Sequence, residues 1–204
     1  MDTTLFPTKG NLIQSMNTLK LSREGYELLD KKRNILITEM MDLIDKAEAI
    51  QSQIDTTFAE AYKALQTANI TIGISAVEQI GHAVPIEENI DIKCKSIMGV
   101  EIPIVTAEKG EAQPKYGFFR TSVALDEAYK KFHKVKTLTI ELAEVENAVY
   151  RLADTIKKTQ KKANALKNVM IPRYEKITAD IQNALEEKDR EEFTRLKVIK
   201  RTKS

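Results

Sequence analysis

The sequence predicts an all-α-dominated fold: a long antiparallel two-helix coiled coil with a small central segment containing a short helix and a β-hairpin. Three observations predict it. Apolar side chains recur every three or four residues over both ends of the 204-residue chain. Aromatic residues make up 6% of the chain, tryptophan is absent and 30% of residues are charged, which favours elongated helices over a thick core. Most glycines and prolines fall between residues 73 and 117, where we expect turns.

The N-terminal coiled-coil helix is predicted within residues 1–72. Its apolar residues alternate in steps of three and four with one stutter, as in a coiled-coil seam. This seam consists of Leu36, Met40, Leu43, Ala47, Ile50, Ile54, Phe58, Ala61, Leu65, Ala68 and Ile72. Upstream it continues less strictly through Leu12, Met16, Leu19, Tyr26 and Leu29. Thr8, just after Pro7, is the predicted N-cap.

The central segment, residues 73–117, carries turn and strand signals. Ser75 and Glu78 have the spacing of a capping box and predict the start of a short helix. A β-hairpin is predicted next, because apolar residues alternate with polar ones on both sides of a Met98-Gly99 turn. Its single apolar face is predicted to carry Ile90, Ile92, Cys94, Val100, Ile102 and Ile104. Pro103 lacks a backbone donor, so the second strand is expected at an edge.

The C-terminal coiled-coil helix is predicted within residues 118–204, with Ser122 as N-cap. Its seam consists of Leu125, Ala128, Phe132, Val135, Leu142, Val145, Val149, Leu152, Ile156, Ala163, Leu166, Met170, Ile177 and Ile181. The two helices would run about 90 and 120 Å, and each apolar stripe is too narrow to be buried alone. They must therefore pair, antiparallel. We expect Leu36, Leu43, Ile50, Ile54 and Leu65 to lie near Val145, Val149, Leu152, Ile156 and Leu166 in reversed order.

Pro172 interrupts the second helix in the stretch NALKNVMIPRYEKI, residues 164–177. A proline inside a helix removes one hydrogen bond and clashes one turn back. The apolar steps nevertheless resume at Ile177 and Ile181, which predicts a helix that continues through Pro172 with a kink. In the alternative interpretation, Pro172 ends one helix and starts another.

No constellation of catalytic or ligand-binding residues is present in the sequence. His82 and His133 lie in different segments without a second ligand at metal-binding spacing. No phosphate-binding loop, dinucleotide-binding turn, nucleophile elbow or zinc-protease motif occurs. The single cysteine, Cys94, allows no internal disulfide and is expected to be a small apolar strand residue. We therefore predict no catalytic, cofactor-binding or metal-binding residue, no cofactor and no enzymatic activity.

The charge pattern gives little support for nucleic acid or a membrane as the direct partner. The formal net charge is +2, and the longest uncharged run, residues 64–77, is too short and polar to span a bilayer. We expect a soluble cytoplasmic protein. Lys157, Lys158, Lys161 and Lys162 form one basic cluster, expected to be a solvated helix face. A second basic cluster, residues 195–203, is compatible with a fraying tail or a docked tip. Neither cluster contains the base-stacking aromatic residues typical of nucleic-acid binding.

Several stretches resemble the D subunit of V/A-type rotary ATPases. LAEVENAVYRLADTIKKTQKKANALKNVMIPRYEKI, followed by EEKDREEFTRLKVIKRTK, is similar to the C-terminal helix of that family. PTKGNL resembles the family's Asn-Pro-Thr-Arg start, although Phe6 replaces the usual asparagine, and GYELLDKKRNIL resembles its Gly-x-x-Leu-Leu-Lys-x-Lys-Arg block. IMGVEIPIV is similar to the family's central hairpin. The resemblance thus covers nearly the whole chain in the right order.

This resemblance implies a non-catalytic central rotor shaft that transmits torque between a nucleotide-binding hexamer and a membrane rotor. The implied partners are the nucleotide-binding A and B subunits, the small F subunit of the central stalk and the C subunit that adapts the stalk to the membrane rotor. The implied location is cytoplasmic and peripheral on the cell membrane, without direct insertion. Two alternatives remain: a prefoldin-like coiled-coil chaperone and a coiled-coil scaffold or nucleic-acid adaptor. The helices are longer than a prefoldin-like fold suggests, and the C-terminal tip is basic, whereas such chaperones need apolar tips to hold unfolded clients. A scaffold role gives no reason for the hairpin.

Overall fold

A computed structural model describes residues 6–84, 90–107, 114, 116, 117 and 121–203. Helix α1 spans Lys9–Ile72 and the short helix α2 spans Ile74–Gly81. Strands β1, Ile90–Ile97, and β2, Val100–Ala107, form an antiparallel hairpin. Helix α3, Val123–Ala165, passes through a π-helical segment, Leu166–Met170, into helix α4, Ile171–Thr202. The predicted fold class, two long helices around a short helix and a hairpin, is confirmed.

The helix starts agree with the sequence in part. Thr8 caps α1 as predicted, because its Oγ1 accepts a hydrogen bond from the Asn11 N–H at 3.2 Å. Ser122 directly precedes α3, but its buried hydroxyl has no hydrogen-bond partner among the described residues. The predicted capping box at Ser75 is wrong. Helix α2 begins at Ile74, and its N-cap is Gly73, which makes no side-chain hydrogen bond. Gly73 has a φ of 97°, a conformation that favours glycine, and this residue separates α1 from α2.

The chain divides into two compact units. The terminal unit comprises the chain up to Ile35 together with the chain from Ile156 onward. The middle unit comprises Leu36–Thr155.

The middle unit contains an apolar seam between α1 and α3. Ile50 and Ile54 pack with Val145, and partly buried apolar residues surround them. Leu36 and Leu152 are fully buried. The heptad pattern had selected these residues, and they are buried, so the predicted faces of the seam in this unit are confirmed. The predicted order of partners is wrong: it placed Leu65 nearest Val145. A heptad pattern repeats itself along the helix, so it identifies the buried face without fixing which turn meets which.

In the terminal unit the seam includes small polar residues that hydrophobicity alone does not select. Ser15 and Ser22 are buried, whereas Met16, which the sequence placed in the seam, is 53% exposed. The Ser22 hydroxyl donates to the Thr18 carbonyl at 2.7 Å, so its burial leaves no unmet donor. Positions 15, 22 and 29 follow one heptad, which explains why Ser15 rather than Met16 faces inward.

The hairpin has the predicted turn but not the predicted apolar face. Ile97 pairs with Val100, leaving a two-residue turn in which Met98 and Gly99 both have positive φ, 50° and 77°. Two positive φ values are typical of a type I′ hairpin. This register pairs Cys94 with Pro103, and cross-strand partners share a face. Ile92 and Cys94 therefore lie on the face opposite Val100 and Ile102, which are buried, and Ile92 is 66% exposed.

Helical backbone persists through the region of Pro172. Met170 and Ile171 have helical dihedrals, with φ and ψ of −72° and −49° and of −59° and −54°. Pro172 lies in the first turn of α4, directly after the π-helical segment. Proline is tolerated in the first turn of a helix, and π-helical turns occur mostly as single turns inside longer α-helices. Helix thus continues where the alternative interpretation expected a break, and the kink itself stays a prediction.

Candidate interaction surfaces

The described part of the chain holds no evident centre for chemistry. Across residues 6–84, 90–107 and 121–203, no group of three or more His, Cys, Asp and Glu residues could hold a metal ion. Cys94 is a free thiol, and it is exposed rather than packed in the strand interior. Within the same described residues, no helix is long and apolar enough to cross a membrane. The described residues also form exposed surfaces and side-chain contacts between elements.

The first of these features fastens the hairpin to α3. Because Ile97 and Val100 form the pair next to the turn, Glu101, Pro103 and Val105 direct their backbone groups away from β1. The Val105 N–H donates to Glu144 Oε2 at 3.0 Å. Arg151 Nη1 donates to the Glu101 carbonyl at 3.0 Å. We call these two α3 side chains, Glu144 and Arg151, the edge strap.

The edge strap explains the position of Pro103. Pro103 lies between the two strapped residues on the outer edge of β2, where its missing N–H breaks no ladder hydrogen bond. The described residues form a two-stranded sheet, so β2 lies at an edge as predicted. Helix α3 thus satisfies, through side chains seven residues apart, the groups that a neighbouring strand would otherwise pair.

Tyr116 forms a second anchor in the middle unit. It is buried with Ala68 and Leu125, and its ring lies edge-on to Tyr129 with centroids 5.5 Å apart. Its hydroxyl donates to Asp126 Oδ1 at 2.5 Å. Burial, together with this hydrogen bond to a carboxylate, raises the pKa of the Tyr116 phenol above its usual range. The phenol therefore stays a donor, and it ties the chain before α3 to the first turn of α3.

The end of α4 is an exposed helical arm. Every described residue from Glu186 to Lys203 is exposed, and helix continues to Thr202. Phe193, Leu196 and Ile199, which share one face, are 69%, 65% and 50% exposed. The basic C-terminal cluster is therefore helical, and its apolar stripe has no cover among the described residues. An exposed apolar stripe of this kind is typical of a contact surface for another protein.

The basic cluster on α3 and several further apolar residues also face solvent. Lys157, Lys158, Lys161 and Lys162 are all exposed, as the sequence predicted. On α1, Leu21 and Leu28 are both 67% exposed and Ile35 is 44% exposed, at heptad spacing.

Two long paired helices, a strapped hairpin and an exposed helical arm define a coiled-coil protein with a small central segment. Comparison with known proteins agrees. The family of the ATP synthase D subunit matches residues 11–201, and the chain belongs to this family. Its members are non-catalytic central-stalk subunits of the V/A-type ATP synthase, a membrane-associated complex. The family predicted from the sequence is confirmed, and the chaperone and scaffold alternatives are not supported.

Individual relatives match over nearly their full length. The chain is 42% identical over 194 residues to the D subunit of the V-type ATP synthase of Thermotoga neapolitana, covering 95% of this chain and 96% of the relative. It is 37% identical to the D subunit of the A-type ATP synthase of Methanobrevibacter smithii, covering 96% of this chain and 86% of the relative. For the corresponding A-type ATP synthase protein of Methanopyrus kandleri the identity is 36%, with 95% and 84% covered.

Reasoning from the sequence missed the residues that make polar contacts between elements. Glu144 and Arg151 sit on a helix face that looks solvated in the sequence, and nothing in their spacing indicates a strand alongside. Tyr116 and Asp126 likewise carry no motif. One signal could have been found: Arg33 occupies the heptad position between Leu29 and Leu36, where the apolar pattern is interrupted.

Proposed function

We propose that this chain is the central rotor shaft of a V/A-type ATPase or ATP synthase and transmits torque between a nucleotide-binding hexamer and a membrane ion-translocating rotor. The observation that carries this proposal is the family match over residues 11–201, which includes both long helices and the hairpin. A shaft needs no reactive side chain. It needs an elongated element that resists twisting and surfaces that other subunits can grip.

The packing of the seam supports a mechanical role. Ile50 and Ile54 on α1 pack with Val145 on α3, and Phe58 lies partly buried beside them, so the two helices bury a shared apolar seam. The edge strap fixes the outer strand of the hairpin to α3 at two points. A torque applied through α3 would therefore reach the hairpin through hydrogen bonds rather than through a free loop.

We further propose which subunits meet which part of the chain. The termini, including the exposed arm of α4, would contact the nucleotide-binding A and B subunits. The small F subunit would lie beside the paired helices, and the C subunit would meet the segment 73–117. The shaft would then consist of an N-terminal coiled-coil helix, residues 1–72, a central segment, residues 73–117, and a C-terminal coiled-coil helix, residues 118–204, with a kink near Pro172. The chain would be cytoplasmic, held peripherally at the cell membrane through the complex, with no nucleic-acid partner.

Purification of the complex tests this function. The chain, tagged at its N-terminus, would be isolated from membranes under mild conditions and its companions quantified by mass spectrometry. We expect nucleotide-binding subunits in a fixed ratio to the chain, together with ATP hydrolysis. A variable mixture of unrelated proteins, or RNA, would contradict the proposal, because those companions are typical of a chaperone or an adaptor.

The ends of the shaft can then be separated. Replacing residues 73–117 by a short turn should leave ATP hydrolysis by the soluble assembly measurable, while ATP-driven ion transport in membranes falls much further. Removing residues 195–204 should change hydrolysis first. If the first deletion abolishes binding to the catalytic subunits but spares the membrane sector, the proposed orientation is wrong.

A further inference from the structure

We propose that Arg33, acting with Asp30 and Gln160, is a register key that fixes the axial position of α1 against α3 in the terminal unit. This role in register depends on the contacts of these residues alone, whereas its consequence for torque rests on the proposed function. The apolar seam decides which faces meet, and the register key decides which turns meet.

Arg33 stands at a seam position yet keeps its charge satisfied. It follows Leu29 by four residues and precedes Leu36 by three, the spacing of a heptad. Its side chain is 24% exposed, and Nη2 pairs with Asp30 Oδ1 at 2.7 Å. The same nitrogen lies 3.0 Å from Asn34 Oδ1, also on α1. These contacts within α1 orient the guanidinium so that one nitrogen remains for the opposite helix.

Gln160 supplies the acceptor across the seam. Arg33 Nη1 donates to Gln160 Oε1 at 2.8 Å. Gln160 Nε2 in turn donates to Asn164 Oδ1 at 2.8 Å, which holds the amide with its oxygen toward Arg33. Asp30 pairs with the charge of the largely buried Arg33, whereas Nη1 donates to one particular residue of the partner helix. Removing Gln160 costs more than the hydrogen bond itself, because a partly buried guanidinium N–H is left without its acceptor.

A slip of one heptad would preserve the apolar contacts and destroy this polar one. Seven residues from Gln160 lie Ala153, which has no side-chain acceptor, and Lys167, which would bring a second cation beside Arg33. Lys167 is itself placed in the native register, since its Nζ lies 5.6 Å from the centroid of the Tyr26 ring. Polar residues at single seam positions are known to specify register in coiled coils at some cost in stability.

A second cross-helix pair in the same unit serves as a control. Arg23 Nη2 lies 2.6 Å from Glu175 Oε1, but the two side chains are 57% and 48% exposed. An exposed pair of this kind contributes little and is screened by salt. It also links α1 to the second helix of the pair, so its removal controls for the loss of any cross-helix ion pair. It should not change register.

Disulfide trapping reports the register directly in the full-length chain. Cys94→Ser removes the single native cysteine. Gly25→Cys combined with Leu166→Cys reports the native register, because a Cβ at Gly25 would lie 3.6 Å from Leu166 Cδ1. Gly25→Cys combined with Thr159→Cys or with Arg173→Cys reports a slip of one heptad in either direction. The intramolecular disulfide is quantified by mass spectrometry after mild oxidation.

The double variant Arg33→Leu, Gln160→Leu removes the register key. It is compared with the parent and with the control double variant Arg23→Gln, Glu175→Gln. We expect the parent and the control to form only the native disulfide. The leucine pair should give at least a tenfold increase in slipped disulfide without a lower melting temperature, since well-packed apolar residues replace a polar pair at little cost. Unchanged slipped disulfide in the folded leucine variant would overturn the proposal. If that variant does not fold, Gln160→Ala is used instead: it should lower the melting temperature and still increase the slipped disulfide, and unchanged slipped disulfide would overturn the proposal.

Discussion

Leu152 tests the coiled-coil seam most sharply, because its side chain is fully buried on α3. Leu-to-Ala substitutions in cores cost about 2–5 kcal/mol through the lost transfer free energy and the cavity that remains. We expect Leu152→Ala to lower the free energy of unfolding by about 3 kcal/mol. The buried residue one turn away, Ala148, is too small to fill the space. For a chain of this size, that loss lowers the melting temperature by about 6–12 °C.

Thermal unfolding followed by circular dichroism measures this loss, and Tyr150→Ala is the matched control. Tyr150 lies two residues away on the same helix but is 76% exposed, so its removal should change stability by less than about 0.5 kcal/mol. Leu152→Asp should cost more than Leu152→Ala, because it buries a carboxylate without a partner. If Leu152→Ala and Leu152→Asp both melt like the parent, Leu152 is not in the seam and the pairing of α1 with α3 is misassigned.

Three further predictions concern the edge strap, Tyr116 and Pro172. Glu144→Ala should speed hydrogen exchange of the Val105 amide by about tenfold or more, because this amide loses its charged acceptor, equivalent to about 1.5 kcal/mol. Tyr116→Phe should cost about 1.5 kcal/mol near neutral pH, because it removes a hydrogen bond to a carboxylate. The folded state holds the Tyr116 proton more tightly than the unfolded state, so the parent should lose stability above about pH 10 to an extent that Tyr116→Phe does not. Pro172→Ala should raise helix stability by restoring a donor, yet lower ATP-driven transport by straightening the shaft.

Each of these predictions has a result that contradicts it. Glu146 is an exposed carboxylate two residues from Glu144, so Glu146→Ala is the control. Equal exchange of the Val105 amide in both variants would show that Glu144 does not protect this amide. Equal loss of stability in the parent and in Tyr116→Phe above pH 10 would mean that another group titrates. Unchanged transport in a stabilised Pro172→Ala variant would show that the proposed kink has no mechanical role.

Periodicity and turn chemistry predicted the parts of the fold that depend on local pattern. The heptad steps placed Leu36, Ile50 and Leu152 inside the seam, because a coiled coil buries every residue on one stripe. The Met98-Gly99 pair marked a tight turn, because few residues other than glycine adopt positive φ at low cost. These features are encoded within a few residues of each other.

Features that depend on alignment between distant residues could not be predicted in the same way. The partner of Ile50 on α3 depends on register, which an internally repetitive apolar pattern leaves open. The predicted apolar face of the hairpin was wrong for a related reason. One residue more or fewer in the turn exchanges the two faces of a strand, and the turn has two residues. The contacts of Glu144 and Arg151 with β2 join residues 39 and 50 positions apart, which no local pattern records.

Observation of rotation in single complexes tests the proposed rotor role most directly. Cys94 is the only cysteine of the chain and is exposed on the hairpin, so a bead can be attached there through a thiol-reactive linker. The complex with the nucleotide-binding A and B subunits would be fixed to a surface through those subunits. We predict that the bead turns in one direction while ATP is hydrolysed and stops when ATP is withdrawn. A bead that keeps a fixed angle during continued hydrolysis would contradict this role, because the chain would then belong to the stationary part of the complex.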